Sequence, residues 1–160
     1  MRGMDGASFS VSIPRLTTTR LLLREYRAAD FDVFAENMND PAATQYLTHL
    51  PDRRSAWRAF TAGAGQWVVR GAGWWTAELR ATGEVGWILR PKFWRQGLAT
   101  EAAKAALDYG VEKFAAQRVV ALIANDNVAS IKVSEKLGMS YEADVPFDDK
   151  TIGLYAVAHQ

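Results

Sequence analysis

Phe93-Trp94-Arg95-Gln96-Gly97-Leu98-Ala99-Thr100-Glu101-Ala102 joins a short apolar run, Val85–Leu89, to a long amphipathic stretch ending at Phe114. In that stretch Ala102, Ala103, Ala106, Leu107, Gly110, Val111 and Phe114 recur at three-and-four spacing. The spacing predicts a helix over Thr100–Phe114 with a single apolar stripe. Glu101, Lys104, Asp108 and Glu112 fall on the opposite face as solvated charge, with Lys104 and Asp108 one turn apart. The unit therefore reads strand, loop, helix. A helix N-terminus presents unpaired N–H groups and a partial positive charge, so it suits a phosphate. Gly97 lets the backbone come close to a ligand, and Ala99 keeps the next inward position small. Thr100 can cap the helix, and Arg95 and Lys92 bring cationic side chains nearby. A plain strand-to-helix turn would also place one glycine before a helix.

Upstream, Leu21–Tyr26 alternates apolar and charged residues after a short apolar run and predicts a strand. Ala28–Asn39 carries Phe31, Phe34, Ala35 and Met38 at helical spacing, with Asp30 near its start and Pro41 after its end. A second helix is expected over Arg53–Arg70, weakened in its middle by Gly63 and Gly65. Trp74–Leu79 and Glu84–Leu89 read as strands around the turn Arg80–Gly83. Downstream, Arg118–Ile123 is a β-branched strand, and a short helix runs from Val128 towards a left-handed cap at Gly138. Strands Ser140–Val145 and Ile152–Val157 flank a turn at Pro146–Lys150. Tryptophans 74, 75, 87 and 94 fall around the central strands, where core packing is their ordinary role. The pattern is a mixed α/β domain with at least one β-helix-β crossover, from Glu84–Leu89 to Arg118–Ile123.

The bulk composition narrows the function. The 160 residues suit one domain over 15–160, preceded by a loose tail over 1–14 that is rich in small and polar residues. A net charge of +1 disfavours non-specific nucleic-acid binding. No cysteine means no thiol nucleophile, disulfide or thiolate metal site. With only His49 and His159, a histidine-rich metal centre is excluded, and no metal is expected. No run approaches the ~20 apolar residues of a membrane span, and Met1–Pro14 lacks the apolar core of a signal peptide, so the cytoplasm is the expected location.

The segment Phe93–Ala102 resembles the coenzyme A-binding segment of the GNAT N-acetyltransferase superfamily, and is most similar to its ribosomal-protein-alanine N-acetyltransferase-like branch. Asn127-Val128-Ala129-Ser130, followed by Glu135-Lys136-Leu137-Gly138-Met139, is similar to that branch's second signature. Leu16-Thr17-Thr18-Thr19-Arg20-Leu21-Leu22-Leu23-Arg24 is similar to its first strand. The three motifs occur in order, and the resemblance spans Ile13–Ala158. It implies a mixed, splayed central sheet flanked by helices, with acetyl-CoA as acyl donor in the gap. Pantetheine would pair with backbone near Leu89. The pyrophosphate would meet N–H groups of Arg95, Gln96, Gly97, Leu98, Ala99 and Thr100. Asn127 matches the asparagine that touches the pantetheine arm, although capping a helix is its ordinary role. Ser130 matches a position facing the thioester, although a small surface residue would read the same.

The chemistry implied is transfer of an acetyl group to a primary amine, on a protein N-terminus or a small molecule, by direct attack. Glu84 is the candidate general base and Ser130 a candidate proton donor. Relatives often carry a tyrosine acid where Ser134 stands here; Tyr141 reads as a packing residue. The family often has glycine at Arg95. It also places a further strand and loop where this chain has only Arg80-Ala81-Thr82-Gly83. Either the chain is a shortened member or an internal stretch is missing from the sequence as read; an intact mass matching 17.7 kDa eliminates the second. A shortened sheet and an absent tyrosine keep a non-catalytic acyl-CoA-binding module as the alternative. A nucleotide-phosphate binder trails, because no Walker Lys-Ser/Thr and no full dinucleotide glycine fingerprint occur. Exposed sheet edges invite self-pairing, so a homodimer is compatible with this fold.

Overall fold

Leu21 and Leu23 alternate with Leu22 along strand β2 (Leu21–Arg24) and are almost wholly buried. The computed structural model describes residues 10–47, 50, 52–86 and 89–158. His49, His159 and Trp87 lie outside them. β2 pairs antiparallel with β1 (Leu16–Thr17) on one side and β3 (Thr76–Leu79) on the other, and β3 turns directly into β4 (Val85–Gly86). The β3–β4 turn is closed by Leu79 N–H donating to the Glu84 carbonyl and Gly83 N–H to the Leu79 carbonyl, both at 2.8 Å. The four-residue connection is therefore a hairpin, as its sequence implied, with no strand inserted.

On one side of this sheet lie α1 (Phe31–Met38), entered through a 3-10 turn at Ala28–Asp30, and α2 (Arg53–Arg70). Phe31, Phe34, Ala35 and Met38 are buried as their spacing predicted, against Ala56 and Phe60 of α2. The Phe60 ring meets Tyr26 at 5.0 Å, Phe34 at 5.3 Å and Phe31 at 5.6 Å. Each such ring removed from water stabilises by about 1.5–3 kcal/mol. Asp52 caps α2 by accepting from Ser55 N–H at 2.7 Å. Gly63 has a packing reason: a Cβ there would lie 3.0 Å from the Tyr26 ring.

A buried ion network ties the sheet to α1. Arg24, 2% exposed, grips both oxygens of Asp30 at 2.7 and 2.9 Å and one oxygen of Glu78 at 2.5 Å. Asp30 also accepts from Arg27 N–H at 2.9 Å, closing the 3-10 turn. The buried guanidinium is thus paired with a buried carboxylate, Asp30, and a partly exposed one, Glu78, the arrangement in which a buried charge is tolerated.

The second half forms a separate sheet in the order β5-β7-β6, from β5 (Arg118–Ile123), β6 (Ser140–Phe147) and β7 (Lys150–Ala158), all antiparallel. Helix α4 (Val128–Lys136) leads into its core of Ile123, Met139 and Tyr155, on which Ile131 and Leu137 pack. β4 and β5 belong to different sheets, so α3 (Leu98–Phe114) spans the splay rather than joining neighbours within one sheet. The expected turn at Pro146–Lys150 is tighter. β6 continues through Pro146 and Phe147, because an edge strand tolerates a residue with no N–H to donate.

The tryptophans divide. Trp67 is buried and stands 4.9 Å from Trp75, whose indole donates to the Pro14 carbonyl at 2.8 Å and so ties down the end of the expected tail. Trp74 and Trp94 are exposed and do not pack in the core.

Candidate active site

Helix α3 starts two residues before the expected Thr100. Gly97 is its N-cap at φ +78°, with no side-chain cap, so Thr100 lies inside the first turn and does not cap it. Gly97 can take that left-handed conformation at no steric cost, which sets the helix entry. Arg95 is also left-handed, at φ +59°, a conformation that glycine in the same place would adopt freely. Left-handed residues alternating with a residue of negative φ turn successive N–H groups towards one concavity, which is an anion nest. Among the described residues, no N–H from Arg95 through Thr100 donates to a backbone carbonyl, whereas Glu101 N–H returns to the Gly97 carbonyl at 3.0 Å. Nest and helix start together offer a run of aimed donors at the positive end of α3. The cradle fits a pyrophosphate.

Glu101 is not solvated charge. Its carboxylate accepts from Thr18 Oγ1 at 2.5 Å, Arg20 N–H at 2.8 Å and Arg20 Nε at 2.7 Å. Burial pushes the carboxyl pKa up, but the bonds from Thr18 and Arg20 outweigh it and hold it below the usual carboxylate range. Arg20 also donates through Nη1 to the Gln96 carbonyl at 2.8 Å. These contacts join positions about eighty residues apart, which no local spacing announces. The only sequence signal was Thr18 and Arg20 within the motif beginning at Leu16. Lys104 and Asp108 form their one-turn pair at 2.9 Å, as expected. An open groove of about 530 Å³ runs beside the helix start, between Thr18, Thr19, Gly97, Thr100, Lys104 and Lys136.

Leu89 stands upstream of the cradle, and its carbonyl accepts from the Trp94 indole at 2.6 Å. Glu84 sits at the β3–β4 turn, paired with Lys92 and accepting from Thr82 Oγ1 at 3.2 Å. The Lys92 ammonium holds the Glu84 carboxyl below its ordinary range. Lys92 also lies 4.8 Å from the centre of the Phe93 ring, so its charge is shared before any ligand arrives.

At the α4 end, Asn127 caps the helix, its Oδ1 accepting from Ser130 N–H at 3.1 Å, and among the described residues its Nδ2 makes no hydrogen bond. Ser130 is half-buried, and among the described residues its hydroxyl makes no hydrogen bond. Ser134 is buried and donates to the Ile131 carbonyl at 2.8 Å, so it holds no exposed proton-donor position. Tyr141 meets Tyr155 edge-on at 5.7 Å but is 54% exposed, so it is a surface residue of β6 rather than a core packing residue. Among the described residues, no group of three or more His, Cys, Asp or Glu could hold a metal, and no helix is long and apolar enough to cross a membrane.

The model of the acetyltransferase (GNAT) domain matches residues 20–140, which takes in the cradle, Glu84 and α4. YkkB of Bacillus subtilis is 30% identical, over 88% of this chain and 94% of its own length. An uncharacterized N-acetyltransferase of the same organism, YnaD, is 27% identical over 79% of this chain and 83% of its own. An acetyltransferase from Agrobacterium tumefaciens superposes with a TM-score of 0.80 at 29% identity, covering 99% of this chain and 100% of that one. A spermidine N-acetyltransferase from Vibrio cholerae shares the fold at a TM-score of 0.72 and 12% identity, covering 88% of this chain and 96% of that one. On this agreement of motif, cradle and fold, the chain belongs to the GNAT acetyltransferase family.

Proposed function

We propose that the chain transfers an acetyl group from acetyl-CoA to a primary amine, on a protein N-terminus or a small molecule, by direct attack and without an acyl-enzyme. The observation that carries this is the run of N–H groups from Arg95 to Thr100 that, among the described residues, donate to no backbone carbonyl, set by two left-handed residues at the start of α3. Bound acetyl-CoA supplies an activated thioester carbonyl. The chain's residues bind and orient around it: Arg95–Thr100 receive the pyrophosphate, and backbone near Leu89 and the free amide of Asn127 receive the pantetheine arm. Glu84 takes the proton of the incoming amine, directly or through water, and the Ser130 hydroxyl relays a proton from water to the departing thiolate, ending as the neutral hydroxyl. Absence of cysteine agrees with direct attack.

The second reading, an acyl-CoA-binding module without turnover, rests on Ser134 being buried and committed, and on the direct β3–β4 hairpin. Calorimetric titration with acetyl-CoA, run beside a thiol-release assay over amines and peptide N-termini, separates the two. Turnover on any amine supports the transferase. Tight binding with no thiol release across the panel supports the module, and no binding overturns both.

A further inference from the structure

We infer that Arg20 is a positioning residue for the anion cradle, fixing the direction of the Gly97 N–H through the Gln96 carbonyl. This rests on the coenzyme reading above and names a residue that the loop motif does not contain. In a trans peptide the carbonyl and the following N–H point in opposite directions across one rigid plane. Arg20 Nη1 holds the Gln96 carbonyl at 2.8 Å, so the Gly97 N–H is turned to the far side of the loop from the guanidinium. That peptide sits between left-handed Arg95 and left-handed Gly97, where a free loop would have most liberty to flip.

The guanidinium is itself fixed. Nε is bound to Glu101 at 2.7 Å, and Arg20 N–H to the other oxygen of the same carboxylate at 2.8 Å. Nη2 lies 3.5 Å from the point where a Cβ on Gly97 would stand, so the fork lies against the glycine. Glu101 belongs to the first turn of α3 and Arg20 to the turn between β1 and β2. The clamp therefore carries the rigidity of the first sheet into the cradle. Open grooves flank it, one bordered by Gly97 and Thr100 and the other by Gln96 and Leu98. The loop is therefore open on two sides, and the clamp restrains it between them. A lysine could keep the charge, but its single ammonium cannot reproduce the two-armed fork to Glu101 and Gln96.

The test compares coenzyme A affinity by calorimetry for the wild type, Arg20→Lys, Arg20→Met and Asp52→Ala, with thermal midpoints and salt dependence measured on each. Asp52→Ala removes the N-cap of α2 and touches neither Glu101 nor Gln96. The expected result is a loss of about tenfold to a hundredfold in both Arg20 variants, the scale of one hydrogen bond to a charged group. The slope of affinity against salt should stay at its wild-type value in Arg20→Met. Asp52→Ala should bind as the wild type even where its midpoint falls. Wild-type affinity in Arg20→Lys, or a shallower salt slope in Arg20→Met, would make Arg20 a charge contact and overturn the inference. Losses that track the midpoints across all three variants would reduce it to a structural role and overturn it equally. A wild type that fails to bind coenzyme A removes the coenzyme reading itself, and the inference with it.

Discussion

Lys92, beside the proline that opens the proposed coenzyme loop, donates to the carboxylate of Glu84 on the β3–β4 turn. The pair binds hairpin to loop and keeps Glu84 ionised at a lower pH than an ordinary glutamate. A depressed carboxyl binds fewer protons folded than unfolded, so its contribution to stability is present above the unfolded value, about 4.3. That contribution fades as pH falls through the folded value. The Glu84 carboxyl resonance should titrate below the usual range in the wild type and move upward in Lys92→Met. An unmoved midpoint would break the assigned pairing.

The same pairing limits Glu84 as a base. General bases work best when their pKa lies near the working pH, and this one is displaced away from it. Glu84→Gln should therefore reduce kcat/KM by about a hundredfold at most, the lower end of general-base effects. A fall of several thousandfold would show that Glu84 titrates differently with substrate bound.

Gly97→Asp should weaken coenzyme A binding by well over tenfold. The substitution forces a β-carbon into a left-handed position and sets a carboxylate against the phosphate site. Calorimetry on the purified variant checks this, with its thermal midpoint as control for folding. Unchanged affinity would contradict the assignment of the loop.

Ser130→Ala should separate binding from turnover. Its backbone N–H keeps the Asn127 cap, so α4 stays intact, and only the free hydroxyl is lost. Affinity for acetyl-CoA should hold within about twofold while kcat falls by about a hundredfold, the scale of one acid–base group. Equal kcat in both proteins would assign the proton to water.

Arg24→Met should destabilise the fold by about 3–5 kcal/mol, because it strands the Asp30 carboxylate in a site closed to water. The double variant Arg24→Met with Asp30→Asn should recover part of that loss in denaturant titration. No recovery would mean that the shape of the arginine, not the pairing, carries the effect.

Much of this architecture was legible because its signals are local. Arg118–Ile123 was readable from its β-branched content, and α2 lies over Arg53–Arg70 as expected despite Gly63 and Gly65. The cradle was legible from Gly97 and the apolar periodicity after it. Three features were not. Leu98, rather than Thr100, begins α3, because the left-handed cap at Gly97 needs no side-chain oxygen. Glu101 looked like surface charge because its partners, Thr18 and Arg20, come from the far end of the chain. Pro146 looked like a turn because its place on a sheet edge is a tertiary fact.

Arg95 at φ +59° and Gly97 at φ +78° shape the loop, and the neighbouring donors belong to peptide groups. A receptor made of main chain is encoded in torsion angles. A side chain at 96 or 98–100 can therefore change while the main-chain concavity keeps its shape, whereas a change of torsion at 95 or 97 would dismantle it.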